Sequence, residues 1–280
     1  YQNQKLKKYL FDKLKKSKKI KLIKKEIKKI DHEDGSIELS KKKRKSYDLV
    51  ILCLGGESIH YKKIFNEKSI KKDYKEVAIT CHVKHNSKIN GASQYFYEEG
   101  PLAILPFKNS FFSLVWSVDN KFFKNNETNI KLIIERKIKT ILTKNSKIKI
   151  SKIKSFPIFL RLSKKYHNKN CLILGEGLHT IHPIAGQGFN LILRDIKKLK
   201  ELLKKNIDLG LNIKNSFILK NFYNSRNAEN TIFGLGVDLT NHFFKKNKHF
   251  NGTKFALLEN IVKYKNFKKI TKYISDKGFF

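Results

Sequence analysis

Leu6, Leu10 and Leu14 recur every fourth position among lysines, which predicts a surface helix over residues 4–16. Residues 20–30 set apolar side chains among lysines in a strand-like pattern. Asp34-Gly35 is then a turn, residues 36–40 a second short strand, and residues 47–54 a strand buried on both faces. This hairpin and buried strand, ending at Gly55-Gly56, read as the tail of a nucleotide-binding sheet whose opening is not in the sequence. Four strands follow at 76–83, 93–97, 102–107 and 111–118, separated by Asn90-Gly91, Gly100-Pro101 and Asn109-Ser110, so an antiparallel sheet built of hairpins is expected. Residues 127–142 place Ile130, Ile133, Ile134 and Ile138 on one helical face. A short strand at 158–162, beginning after Pro157, leads to a buried strand at 171–174, a glycine-rich loop and a helix over 188–204. Residues 215–280 read as mostly helical with a break near Gly252, and no internal repeat is visible.

The 280 residues are 40% hydrophobic with 4 prolines, enough for one large domain or two small ones and incompatible with disorder, collagen or coiled coil. Lys and Arg number 61 against 24 Asp and Glu, a formal net charge of +37. Nearly all the excess is lysine, since arginine occurs only at positions 44, 136, 161, 194 and 226. The lysines are strewn along the chain beside inflated Ile, Asn, Phe and Tyr, as AT-rich codons produce. Nucleic-acid readers favour clustered arginine, so no nucleic-acid partner is expected. Diffuse charge still suffices to draw a protein to an anionic membrane, at about 1 kcal/mol per lysine near the surface. No apolar stretch approaches the ~20 residues of a membrane-spanning helix. Cys53, Cys81 and Cys171 each sit alone in an apolar run, so buried, reduced thiols and a reducing compartment are expected. Methionine is absent, and Tyr1 is therefore expected to be an internal position of a longer chain.

The chemistry is concentrated in residues 171–195. A buried strand ends at Gly175, Glu176 follows at once, and a loop with Pro183, Gly186 and Gly188 opens a helix. Glycines at a strand end and a helix start let a ligand approach the backbone. The helix N-terminus supplies unpaired N–H groups and a partial positive charge, which suits an anion or a ring that becomes anionic. An acid at the strand end suits a polyol hydroxyl. His179 and His182 lack a third ligand at suitable spacing, so no metal is expected. Ser58 lacks the G-x-S-x-G elbow of a hydrolase.

His179 through Pro183, Ala185 through Gly188, Asn190-Leu191 and Arg194-Asp195 together resemble the second flavin-binding motif of the FAD-dependent aromatic hydroxylases, in particular the polyprenylphenol hydroxylases of ubiquinone biosynthesis. Gly100 through Pro106, followed by Ser113-Leu114-Val115-Trp116, is similar to that family's substrate-sheet hairpin, and Tyr223 with Arg226 to its helical Tyr-x-x-Arg. The resemblance implies an α/β fold: a Rossmann-like FAD domain, incomplete here and interrupted by a mixed, largely antiparallel substrate-binding sheet, with a helical C-terminal region. The implied divisions are 1–72, the remnant of the FAD-binding domain; 73–160, the substrate sheet; 161–205, the return to the FAD domain with the flavin loop; and 206–280, the helical region.

It also implies FAD as cofactor, NAD(P)H or another electron donor, and hydroxylation of a prenylated phenol by oxygen activated at the reduced flavin. Gly55, Gly175, Glu176, Pro183, Gly186, Gly188, Phe189 and Asn190 would hold the cofactor. Pro183 would face its reactive edge through the carbonyl, as the one catalytic assignment. His182, Leu105 and Trp116 would line the substrate pocket, although the pattern alone reads Trp116, like Phe107, as sheet core first. The implied location is cytoplasmic and peripheral to the inner membrane, with other ubiquinone-biosynthesis proteins as partners.

Three departures are visible. The family's Asp after the strand glycine is Glu176 here. Its Asp-Gly-x-x-Ser falls on Leu54-Gly55-Gly56-Glu57-Ser58, where Leu54 replaces the carboxylate. The fingerprint G-x-G-x-x-G occurs nowhere, since Gly186-Gln187-Gly188 and Gly234-Leu235-Gly236 both lack the third glycine. With the missing methionine, this implies that about a third of the family's length is cut off and that the 280 residues alone are inactive. Two alternatives stay open: a non-catalytic homologue that acts as a binding or assembly protein, and a flavin hydroxylase with another aromatic substrate.

Overall fold

The computed structural model describes residues 3–39, 43–56, 58–66, 68–89, 91–142, 146–183, 186–214 and 216–246. Ser40, Glu57, Asn90 and Ala185, and the expected helices and break beyond residue 246, lie outside them.

The leucine spacing forms helix α1 (Asn3–Lys16). Of the strand expected over 20–30 only β1 (Ile27–Asp31) forms, and Ile20, Leu22 and Ile23 stay exposed among the described residues. β1 turns into β2 (Ser36–Leu39) through Gly35, at φ 67°, where a Cβ would lie 2.3 Å from the Tyr47 carbonyl oxygen. A third strand, β3 (Lys43–Ser46), completes this small antiparallel sheet. Next come β4 (Val50–Leu52) and α2 (Ile59–Phe65), the latter capped by the Ser58 hydroxyl, which accepts the His60 N–H at 3.4 Å.

The expected long strand at 47–54, buried on both faces, is only three residues long, and Ile51 is 39% exposed. Val50 and Leu52 join an apolar cluster with Tyr61, Phe65, Leu199 and Phe222. The opposite face of this edge strand has no such layer among the described residues. Cys53, expected to be buried, is exposed where the chain leaves the strand, whereas Cys81 and Cys171 are buried. Burial pushes both of those thiols up to about 11.

β5 (Ser69–His85), β6 (Ser93–Tyr97), β7 (Gly100–Lys108) and β8 (Phe111–Asp119) build most of the large sheet. After α3 (Asn120–Asn126) and α4 (Ile130–Ile141) come β9 (Ile148–Ile150) and β10 (Lys154–Ser163). β11 (His167–Asn168), β12 (Cys171–Ile173) and β13 (His179–Thr180) follow, then the long helices α5 (Gly188–Asp208) and α6 (Ser216–Lys246). The large sheet runs β13-β10-β5-β8-β7-β6 with β9 also on β5, and all its pairs are antiparallel. The small sheet β11-β12-β4 contains the parallel pair β12–β4. This is the α/β class expected, with an antiparallel sheet inserted between the two parallel strands.

Ile130, Ile134 and Ile138 of α4 cover one face of the large sheet together with Ile79, Leu102, Leu114 and Trp116. The other face meets α5, α6 and the approach to the glycine-rich loop through Ala78, Leu160, Ile181, Leu191 and Val237. β5 and β10 run the length between these regions. Their register breaks at Tyr74-Lys75, where Lys75 adopts φ 55° and its N–H is held by the Asp73 carboxylate at 2.8 Å.

Candidate functional site

The two parallel strands end side by side. β4 runs out into Leu54-Gly55-Gly56 and β12 into Leu174-Gly175-Glu176, with the Leu174 N–H on the Leu52 carbonyl at 3.0 Å. Tyr61 seals the space beneath: its hydroxyl donates to the Leu54 carbonyl at 2.7 Å and accepts the Leu54 N–H at 2.9 Å. Burial pushes this phenol up to about 12, so it stays a neutral donor. Gly177 must be glycine, since a Cβ there would lie 2.6 Å from the Tyr61 ring. A Cβ on Gly56 would meet the Arg161 guanidinium and the Glu176 carbonyl at 3.5 Å, so the two loops nearly touch. Gly55 and Gly175 border open space, and the Glu176 side chain is exposed beside them. Crevices outside the carboxyl ends of parallel strands are where α/β sheets bind ligands.

The start of α5, a helix that contacts the turn at Gly175–Gly177, supplies the second part of the site. The Gly186 N–H donates to the Pro183 carbonyl at 2.9 Å, which occupies one lone pair of that oxygen and turns the chain. Gly186 takes φ 60°, with nothing within 4 Å of a Cβ, and a Cβ on Gly188 would find only Ile181 at 3.8 Å. The first turn of α5 has neither an acid nor a side-chain cap, so its leading N–H groups and partial positive charge are left for a ligand. Phe189 is 57% exposed, and the exposed Asn190 donates its amide to Gln187 at 2.7 Å.

Two buried histidines fix the approach to this loop, a role that residue spacing did not reveal. His179 Nε2 lies 2.6 Å from Asp195 on α5, and the other Asp195 oxygen accepts from Arg226 Nε at 2.7 Å and Asn230 Nδ2 at 3.1 Å on α6. Arg226 also reaches Glu229 and, at 2.9 Å, Asn230, whose amide donates to the Tyr166 hydroxyl at 3.2 Å. Burial alone would raise the Asp195 carboxyl, but His179 and Arg226 outweigh it and hold the group below its ordinary value of 3.8. The three sequence fragments bearing His179, Arg194-Asp195 and Tyr223-x-x-Arg226 therefore converge in one buried network.

His182, expected to line the pocket, is fully buried instead, with Nε2 2.8 Å from Glu76 on β5. Trp116 and Leu105 lie on opposite faces of the large sheet. Trp116 pairs across with Leu102 and Ile79, is fully buried against α4, and donates Nε1–H to the Gly100 carbonyl at 3.2 Å. Leu105 pairs with Ser113 on the other face, the one that carries Ala78, Thr80, Ala103 and Val115. Ala78 shares its apolar cluster with Ile181 and Leu191, so this second face adjoins the glycine-rich loop. Its alternation was legible in sequence; its orientation was not.

A family model described as squalene epoxidase matches residues 116–264, just over half of the chain. Ubiquinone biosynthesis monooxygenase COQ6, mitochondrial, of Dictyostelium discoideum is 26% identical over 281 residues, covering 82% of this chain and 57% of that protein. The 3-demethoxyubiquinol 3-hydroxylase of Escherichia coli (strain K12) is 29% identical over 172 residues, 61% of this chain and 43% of that protein. The chain thus spans about half the length of these curated relatives. Among solved structures, p-nitrophenol 4-monooxygenase PnpA from Pseudomonas putida DLL-E4 superposes with a TM-score of 0.75 at 13% identity, covering 99% of this chain and 73% of that one. PqsL, a probable FAD-dependent monooxygenase from Pseudomonas aeruginosa, gives 0.71 at 16% identity, covering 88% and 71%. These likenesses establish the fold.

Proposed function

The chain belongs to the family of FAD-dependent monooxygenases whose matching model is described as squalene epoxidase, and from this premise we propose that it serves a flavin-dependent hydroxylation of a prenylated phenol in ubiquinone biosynthesis. One observation carries the reading: Gly55 and Gly175 at the ends of the parallel strands β4 and β12, and Gly186 before the uncapped start of α5, each leave the place of a Cβ with nothing within 4 Å. The residues present fit the ring and polyol end of FAD. Gly186, Gly188, Phe189 and Asn190 would hold the pyrimidine edge, Glu176 the polyol chain, and Gly55 and Gly175 would leave room between them. The cofactor, when bound and reduced by NAD(P)H or another donor, supplies the oxygen activation. The protein's own part is to orient the ring with the N–H groups of α5, which stabilise negative charge on it, and to exclude water. Pro183 would present its carbonyl at the reactive edge. The substrate ring is received on the sheet face of Thr80, Ala103, Leu105 and Val115, with divisions near residues 72 and 160 separating flavin-binding from substrate-binding parts and one near 205 opening the helical C-terminal region. Two separate apolar clusters support that division, one under β4 and β12 and one between the large sheet and α4, while a third joins Ala78 and Leu160 of the sheet to Ile181, Leu191 and Val237 across it.

A second reading, a non-catalytic homologue, is favoured by Leu54, which stands where the resembled motif has a carboxylate and whose backbone is engaged by Tyr61. Flavin fluorescence titration separates the two. The sequence holds no fingerprint for a pyrophosphate, so FAD and riboflavin are expected to bind weakly and alike. Gly188→Val is expected to abolish that binding at unchanged thermal stability, because the space around position 188 accepts a side chain when no ring is present. Tight FAD binding that survives Gly188→Val would overturn the assignment, and no flavin binding by the parent chain would favour the second reading.

A further inference from the structure

We propose that the His182–Glu76 pair is a positioning device that fixes the glycine-rich loop against the substrate sheet, with His182 a positioning residue and not a substrate contact. The inference rests on the reading that Pro183, Gly186, Gly188, Phe189 and Asn190 face a flavin. His182 and Glu76 are 106 positions apart in sequence and both are buried, with Nε2 and Oε2 2.8 Å apart. Each partner is confined from a further element. The second Glu76 oxygen accepts from Asn241 Nδ2 of α6 at 3.4 Å, and the Tyr74 ring meets the imidazole edge-on, centroids 5.1 Å apart at 87°. Beyond them, Lys72 of β5 pairs with Asp238 of α6 at 2.8 Å, so strand and helix are tied on either side of Tyr74.

Position matters more than strength here. Glu76 follows directly on the β5 bulge at Tyr74-Lys75, the kind of irregularity that re-aims side chains next to functional sites. Glu76, Ala78 and Thr80 alternate onto one face of β5, the face assigned to the substrate ring. His182 immediately precedes Pro183, whose carbonyl turns the loop toward Gly186 and Gly188. His179, three residues earlier, is anchored on α5 through Asp195. The segment 179–182 is thus pinned at one end to the helices and at the other to the sheet, and the His182–Glu76 pair is the directional polar contact by which a displacement of β5 reaches the loop, beside the packing of Tyr74 on the imidazole and of Ala78 with Ile181. Buried ion pairs are often replaceable by apolar residues of similar volume without loss of stability, whereas an apolar pair fixes no direction.

That contrast supplies the test. Two double variants of the full chain are compared by amide hydrogen exchange: E76L/H182L, an apolar pair, and E76Q/H182Q, a neutral pair that can still hydrogen-bond. The leucine pair is expected to raise exchange of the amides at 186–191 on the order of tenfold, with the 102–118 strands unchanged. The glutamine pair is expected to stay within about threefold of the parent. Equal exchange at 186–191 in all three proteins, or a rise spread evenly over the chain, would overturn the proposal. Should the leucine pair fail to fold, Asn241→Ala removes one hydrogen bond from Glu76 and leaves both partners in place. It is expected to raise loop exchange by about threefold, and no rise would count equally against the clamp. Riboflavin titration of the parent chain is independent of these results: a loosened loop with no flavin binding would sink the flavin reading and spare the clamp.

Discussion

Asp195 is the residue on which most of the buried polar architecture closes. It accepts from His179, Arg226 and Asn230 while fully buried, and removing its charge would leave Arg226 to Glu229 and Asn230 alone. Asp195→Asn is therefore expected to cost about 3–5 kcal/mol, measured by urea unfolding, as for other buried pairs broken at one partner. The pH dependence follows from the depressed carboxyl. Its contribution is fully present above the ordinary value of 3.8 and is lost only as pH falls through the lower folded value. The parent should thus lose stability relative to Asp195→Asn as the pH drops below 3.8, and parallel acid limbs in the two proteins would refute this. The fragments that carry these residues were legible as motif pieces. Their joint role was not, because the network closes through residues 179, 195 and 226 brought together by α5 and α6, and no local spacing records that.

At the scale of elements, alternation of apolar and polar positions located β6, β7 and β8 to within a residue or two, since half-buried strands repeat every second position. β3 was invisible because Lys-Arg-Lys-Ser carries no apolar residue, and it exists only as a third partner for β2. Which face of the large sheet is core depends on α4, which a strand pattern cannot indicate. Trp116, which pattern alone reads as sheet core and the resemblance as pocket lining, packs its ring on Phe122 beneath Lys137 on the α4 side. The two faces differ measurably. Trp116→Ala is expected to cost about 3–5 kcal/mol, the range for emptying a large aromatic site. Leu105→Ala, at 42% exposure on the open face, is expected to cost less than about 1 kcal/mol. Comparable losses for the two in urea titrations would show that the open face is packed like a core and could not receive a substrate ring.

The whole molecule adds a property that no single element carries, the excess of 61 basic over 24 acidic side chains. Among the described residues no helix is long and apolar enough to cross a membrane. A prenylated phenol partitions into lipid, so the substrate we propose must be met at a membrane surface. Charge spread over the surface supplies that contact without a dedicated anchor: each lysine near an anionic leaflet contributes about 1 kcal/mol, and the attraction fades within a Debye length of about 8 Å at physiological salt. Many of the lysines face solvent unpaired by any acid within the same element, α1 being an example with its single Asp12 among six lysines. The chain is therefore expected to co-sediment with vesicles containing phosphatidylserine and to be released as salt rises from 0.05 to about 0.5 M, while neutral vesicles retain little. Equal retention on neutral and anionic vesicles, or retention indifferent to salt, would mean that the lysines are compositional drift, and the lipid-borne substrate would then stand on family resemblance alone.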